Sequence, residues 1–364
     1  MNKAPTITRL QFIFMLSGIQ ISVAVLSLPR KLAESAGTDG LLALPLGYIL
    51  SVLASCIIVA VMRHSKEATL FAAISSMGGK WAGKTFAGIM ALYFLMLMYD
   101  GIVRAILIMK TWLLPSTSSF VIMLLLLVPA YKVASGGIRL VGRYAELVFY
   151  MSCWLPFVYL FTLKYSHWLN LLPFFKTGFI PVLGAVKNTI YPSLGMVAVF
   201  ILYPSLIKKE TAYANVLLSN GITFSVYIFL TIICFVYYSP HGIQVFNDPV
   251  ISILKTIEFR SIERIEIPFI SFYLFLFSLV WIPCMYFVSV CICEIAGTAD
   301  IKVPLRVLVI SLAIGTYFFL PTFNQSNALQ GWLVRCSIVI EYALPFILLC
   351  CLLLYNKRRR GLNL

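Results

Sequence analysis

Apolar runs of about 20 residues, each closed by a short polar stretch, recur along the whole chain. A helix needs about 20 apolar residues to cross the hydrocarbon core of a bilayer, so each run predicts a spanning helix. Ten are predicted, at roughly 10–29, 41–62, 86–110, 118–132, 144–163, 183–206, 213–238, 267–293, 304–320 and 332–355. The polar interruptions are too short for a soluble domain, so residues 1–364 are expected to form a single polytopic membrane domain. Two shorter helices are predicted between spans. Residues 66–76 are weakly amphipathic, and Val250, Ile253, Leu254 and Ile257 follow i, i+3, i+4, i+7 spacing after Asn247-Asp248-Pro249. Asn247 or Asp248 is a candidate cap for the second, and Pro249 suits its first turn. Its apolar face must rest on the membrane or the bundle, as a fixed lid or a moving gate.

Composition agrees: of 364 residues 61% are hydrophobic and 11% charged, with a mean hydropathy of +0.96. No soluble globular class has this balance. The formal charge of +15 would suggest nucleic acid on a soluble protein, but the basic residues fall in short loops, so no nucleic-acid partner is expected. Lys and Arg set orientation instead. With both termini inside, 17 of them face the cytoplasm and about 10 the outside; the basic Lys357–Arg360 cluster then lies against anionic lipid. The start, Lys3 and Arg9 before an apolar run, mimics a signal peptide but lacks a small-residue cleavage site, and is read as an uncleaved first helix. The nine cysteines lie almost all in spans, without CxxC spacing or a histidine cluster, so no metal or cofactor is expected. His64, His167 and His241 fall in loops, and no enzyme motif is found, so the chain is not expected to be an enzyme.

Two spans depart from plain apolar helix. In Leu10–Gly37, Ser17-Gly18 is followed by Gln20, Ser22 and Pro29. In the sixth span, Pro192, Ser193 and Gly195 lie near the middle, with Pro204 beyond. Proline removes a helical hydrogen bond and clashes with the turn before it, which predicts a break around Tyr191–Gly195. Spans one and six hold corresponding places in two five-span halves, about 10–163 and 183–355. Paired breaks at such positions point to a midplane site in an inverted-repeat fold. Two unrelated kinks would leave the same trace. A broken helix offers free N–H groups to a carboxylate and free carbonyls to an ammonium, which suits a zwitterion or another small polar ligand.

Intramembrane charge adds candidates, because it is costly and usually faces the bundle interior. Asp100 and Arg104 stand four apart on span three, acid first, as a structural, proton-linked or gating pair, with Tyr99 beside them. Glu146 and Glu341 are single carboxylates read as structural. Arg260 to Glu266 reads as a solvated helix start, with Glu263, Arg264 and Glu266 as candidate coupling groups. Ser278, Trp281, Ile282 and Met285 share a face of span eight, which Pro283 is expected to interrupt, and would form another wall of the cavity.

The run Gln20-Ile21-Ser22-Val23-Ala24-Val25-Leu26-Ser27-Leu28-Pro29-Arg30, followed by Ala36-Gly37-Thr38-Asp39-Gly40, resembles the first-helix signature of the endospore germination permeases, the B subunits of germinant receptors. Further matches follow in order: Arg104 with Leu114-Pro115-Ser116-Thr117; Gly136-Gly137 with Arg143 and Glu146; Tyr191-Pro192 with Tyr203-Pro204; and Glu263-Arg264-Ile265-Glu266. The resemblance covers essentially the whole chain. It implies the amino acid–polyamine–organocation superfamily, an all-α membrane protein with a LeuT-like 5+5 inverted repeat, and helices 1 and 6 broken. It also implies a germinant sensor in the spore inner membrane, working with an A-type subunit and a C-type lipoprotein. Where the family tends to carry Gly, this chain has Ser22 and Ala24, and Gly195 lacks an acidic neighbour in the chain.

The expected function is binding of a small nutrient, an amino acid by preference, at the midplane. Gln20, Ser22, Val23 and Ala24 would face Tyr191, Ser193 and Gly195, with Tyr99, Ser278 and Ile282 on the walls and Asp100, Arg104, Glu263, Arg264 and Glu266 in coupling or gating. A proton-coupled amino acid symporter and an ion or water channel subunit are the alternatives.

Overall fold

The computed structural model describes residues 6–21, 24–65, 67–172, 175–176, 178–239, 241–257 and 265–361. Its elements are helical, as the apolar runs predict. Seven stretches of the described chain are long and apolar enough to cross a membrane: Ala24–His64, Leu70–Trp112, Gly137–Tyr165, Phe179–Ser205, Lys209–Tyr237, Glu266–Ala296 and Phe323–Arg358. The shorter apolar helices Arg9–Ile21 and Ser119–Ser135 accompany them. The chain is an integral membrane protein.

The first span is described as two helical stretches, α1 (Arg9–Ile21) and α2 (Ala24–Ala36), on either side of residues 22–23. Then come α3 (Ala43–His64) and α4 (Leu70–Trp112), whose first turn is capped by Thr69 accepting from the Ala72 N–H at 3.2 Å. The weakly amphipathic 66–76 region thus enters α4, bent away by Gly79 at φ +84°, where a side chain would be strained. Next are α5 (Ser119–Ser135), α6 (Gly137–Ser152) and the short α7 (Leu155–Val158). The sixth span consists of α8 (Phe179–Val186), three 3₁₀ turns and α9 (Val199–Ser205). The chain continues with α10 (Ala212–Tyr237), α11 (Pro249–Leu254), α12 (Glu266–Ala296), α13 (Lys302–Phe318), α14 (Phe323–Ser337) and α15 (Leu344–Gly361).

The middle of the bundle is α12, packed on α4, α6, α1 and α5. Glycines let these helices approach: a Cβ on Gly18 would lie 2.9 Å from Leu279 Cβ, and one on Gly101 2.9 Å from Val280 Cγ1. This clamp explains why Pro283 does not interrupt α12, contrary to expectation. Proline costs one helical bond, and neighbours gripping Leu279 and Val280 keep the helix continuous through it. On the periphery Leu53, Leu125, Val307, Ile314 and Leu354 are exposed, as a lipid-facing surface requires.

Ile7 and Asn356, near the two ends of the described chain, lie on one face. Ile7 exchanges backbone hydrogen bonds with the end of α9, donating to Ser205 O at 2.8 Å and accepting from Ile207 at 3.2 Å. Arg63 at the end of α3 stacks 5.3 Å from the Tyr213 ring, and Asn356 donates to His64 O at 3.1 Å. The start of α14 therefore belongs to the opposite face, with the end of α2. There α11 rests on α2 and α10, with Val250, Ile251, Ile253 and Leu254 all buried. Asp248 is its N-cap by position, but neither it nor Asn247 caps the helix by side chain: Asn247 accepts from Arg30, and Asp248 faces a cavity.

Candidate functional site

The sixth span breaks where Pro192 and Gly195 predict. A 3₁₀ turn over Tyr191–Ser193 ends at Leu194, which is extended (ψ 148°), and Gly195 sits at φ +97°. That left-handed conformation suits glycine, and the space demands it too, because a Cβ would strike Ile19 Cγ2. The turn after the break presents free backbone donors, as a helix N-terminus does. They are filled from span ten: Glu341 accepts from the Gly195 N–H at 2.6 Å, the Met196 N–H at 3.3 Å and Tyr93 Oη at 2.6 Å. Gly195 has no acidic neighbour along the chain, but in space it has one. Glu341 lies in a π-helical turn, Ile338–Ala343, between α14 and α15. Pro345 has no N–H to give the Glu341 carbonyl, which accounts for the loosened register there.

The expected break in span one, at Ser22 and Val23, lies outside the described residues. The α1 side is tied to α10. Gln20 donates to Asn220 Oδ1 (3.2 Å) and accepts from Thr223 Oγ1 (2.8 Å), while Tyr227 Oη donates to the Gln20 carbonyl at 2.8 Å. The last carbonyls of a helix need such partners. Tyr227→Phe strips this one in a buried setting and is expected to cost about 1–2 kcal/mol. Thermal unfolding of the purified protein in detergent, compared with wild type, measures it; an unchanged midpoint would mean that the carbonyl has found another donor. Ala24, at the start of α2, is buried.

Asp100 and Arg104 do not form the pair that their spacing allows. No ion pair joins them, and among the described residues Arg30–Glu34 is the one salt bridge. Each has a better-placed partner on another span. Tyr191 Oη donates to Asp100 Oδ2, and Arg104 Nη2 donates to Asn327 Oδ1, with the guanidinium 5.5 Å from the Phe323 ring. Lys31 on α2 completes the group, donating to Gln330 Oε1 at 3.3 Å with its Nζ 5.2 Å from the Tyr191 ring centroid. Arg104 Nε is buried without a hydrogen-bond partner, and the buried Gln330 amide is directed at the Asp100 carboxylate. Two cavities adjoin this cluster and share Lys31 and Asn327: one of about 320 Å³ bordered by Arg30, Arg104 and Asp248, the other of about 470 Å³ bordered by Lys187, Tyr191 and Gln330. Burial raises the Asp248 carboxyl above the usual carboxylate range, opposed by Arg104, Arg30 and Lys31.

The remaining candidates stand apart from this group. Tyr99 borders an apolar groove of about 780 Å³ between α4, α12 and α13. Ser278 shares a 2.6 Å hydrogen bond with Tyr144, and Ile282 is buried on the same helix. Ser193 donates back to Thr189 O at 3.0 Å. Glu266 is buried at the start of α12, and Glu263 and Arg264 lie outside the described residues. The sequence reading missed Lys31, Asn327 and Gln330. A start for span ten at 332 excludes the polar turns of α14, although Thr322 and Gln325 signal them with a capping box that the structure contains.

The fold has known counterparts. MhsT in complex with L-phenylalanine superposes with a TM-score of 0.64 at 14% identity, covering 96% of both chains. Mhp1, a nucleobase-cation-symport-1 family transporter, gives 0.62 at 11% identity, over 94% of this chain and 82% of that one. A Na⁺-coupled sialic acid symporter gives 0.62 at 13%, over 93% and 78%. The fold is thus LeuT-like. In sequence, the chain is similar to spore germination protein GerQB of Bacillus cereus, 26% identical over 329 residues (90% of this chain, 91% of that one). It is also similar to spore germination protein YndE of Bacillus subtilis (strain 168), 26% identical over 265 residues (71% and 73%). The model of the permease family described as "Spore germination protein" matches residues 6–328, and the chain belongs to that family.

Proposed function

We propose that this chain is the permease-like B subunit of a spore germinant receptor. It binds a small nutrient, an amino acid, between broken spans one and six, with spans three and eight as walls. The observation that carries this reading is the buried break at Gly195, flanked by the Glu341 carboxylate and, through Tyr191, by Asp100. A spanning helix interrupted inside the bundle is retained where it serves a ligand or ion path. Gln20, Ser22 and Pro29 in the first span, set against Pro192 and Gly195 in the sixth, support two five-span halves, about 10–163 and 183–355, and ten spans in all. A nutrient held more tightly in one arrangement of the bundle shifts its population, and A-type and C-type lipoprotein subunits read the shift in the spore inner membrane, both termini cytoplasmic.

A second reading, proton-coupled amino acid symport, draws on two deeply buried carboxylates, Asp100 and Glu341, neither in an ion pair among the described residues. Two measurements separate the readings. Spores carrying Ser22→Trp are expected to lose the nutrient dose–response while the three subunits still co-purify. Proteoliposomes holding this chain alone are expected to show no uptake of labelled amino acids. An unchanged dose–response sinks the site, and concentrative uptake moves the assignment to symport.

A further inference from the structure

We propose that the two cavities between α2, α4 and α14 form one anion seat, which takes the carboxylate of the incoming nutrient ahead of the break in span six. The proposal rests on the nutrient-binding reading above and names residues that it leaves unassigned: Lys31, Asn327 and Gln330.

Charge is the first argument. Arg30, Lys31, Arg104, Lys187 and Arg335 border the cavities, against the carboxylates of Glu34 and Asp248 on their walls and of Asp100 close behind. Of the five cations, only Arg30 has a carboxylate within 4.0 Å among the described residues. A free donor is the second argument. Arg104 is 6% exposed, yet its Nε has no hydrogen-bond partner, while the buried Gln330 amide is directed at Asp100. Buried polar atoms left open in a native site call for a ligand or ordered water. Arg104 borders one cavity and Gln330 the other, and Lys31 and Asn327 belong to both, so the donors surround a shared boundary. A planar guanidinium with a free edge fits a carboxylate better than a spherical ion.

The third argument is exclusion. The backbone donors at Gly195 and Met196, where a broken helix would otherwise hold an anion, are occupied by Glu341. A ligand carboxylate is not served there while Glu341 stays. Asp100 adds polarity to the seat: Tyr191 holds one carboxylate oxygen, and the other has only the Gln330 amide beside it. Asp100 thus suits the amino group of a ligand whose carboxylate lies on Arg104 and Lys31. Amino acids meet this pattern; their carboxamides and des-amino acids each lack half of it.

The test uses the full chain in phosphatidylcholine nanodiscs, with thermal stabilisation and equilibrium binding as readouts. The probes are the standard L-amino acids, their carboxamides and des-amino acids, and the salts sodium nitrate and sodium chloride. At least one amino acid is expected to bind, with its carboxamide at least about tenfold weaker. Lys31→Gln and Arg104→Gln are each expected to weaken binding by a similar factor, and Arg104→Lys, which keeps the charge, by less. Lys84→Gln, away from the cavities, is expected to change nothing. Arg104→Lys and Lys31→Gln keep the test valid if Arg104→Gln fails to fold. Equal binding of acid and carboxamide, competition by nitrate or chloride at the same concentrations, or wild-type affinity in both Lys31 and Arg104 variants overturns the seat. Failure of the receptor reading is distinguishable, because it appears as absent co-purification with partner subunits while carboxylate binding persists. A normal dose–response in Arg104→Gln spores overturns the seat and leaves the receptor reading standing.

Discussion

Glu341→Ala is expected to destabilise the protein by on the order of 4 kcal/mol, among the largest effects of any single change in this chain. The substitution removes the acceptor of three buried donors at once: the Gly195 and Met196 amides and the Tyr93 hydroxyl. Each orphaned donor costs about 1–3 kcal/mol, and bonds to a carboxylate are about twice as strong as neutral ones. Opposing this, alanine relieves the desolvation of a buried carboxylate. Three unmet donors beside a helix break, with a cavity where the side chain stood, outweigh that relief. Glu341→Gln separates the contributions. One amide oxygen still accepts, but the amide nitrogen cannot accept from Met196, so an intermediate loss of about 1–2 kcal/mol is expected. Thermal unfolding in detergent, with protease susceptibility near residue 195 as a second readout, gives the order wild type, Gln, Ala. An alanine variant as stable as wild type would show that the break does not depend on span ten.

Gly195→Val is expected to cost about 3 kcal/mol and to abolish any nutrient response. Two costs combine. A side chain at φ +97° loses about 1–2 kcal/mol in the left-handed region, and forcing a Cβ into Ile19 adds about 1–3 kcal/mol of overpacking. The two are separable. In the double variant Gly195→Ala with Ile19→Ala the clash is gone and the backbone cost remains, so its loss should fall short of the sum of the single changes. Strict additivity in unfolding measurements would place the strain elsewhere.

These predictions mark how far the sequence could be read. The spans were legible because burial in lipid demands apolar runs of fixed length, and the break in span six because Pro192 and Gly195 lie close together near the middle of one. What spacing alone could not decide was competition between partners. Asp100 and Arg104 stand at a pairing distance, yet Tyr191 and Asn327, from other spans, claim them. Glu341 reads as an isolated carboxylate because its partner amides lie about 145 positions away in the chain. Lys31 reads as a loop charge, since it follows Pro29; it lies instead inside α2, which tolerates that proline. Pro283 misleads in the opposite direction, because only the glycines on α1 and α4 show that α12 is gripped on both sides at that level.

The backbone pairing of Ile7 with Ser205 and Ile207 carries a mechanical consequence. It is a parallel bridge among described residues that are otherwise helix and turn, and it staples the leading edge of α1 to the trailing edge of α9. The start of α1 and the end of α9 are therefore tied: sliding either along its axis strains two backbone hydrogen bonds to the other. A displacement of Ile7 is passed to the end of α9 through two backbone hydrogen bonds as well as along α1 itself.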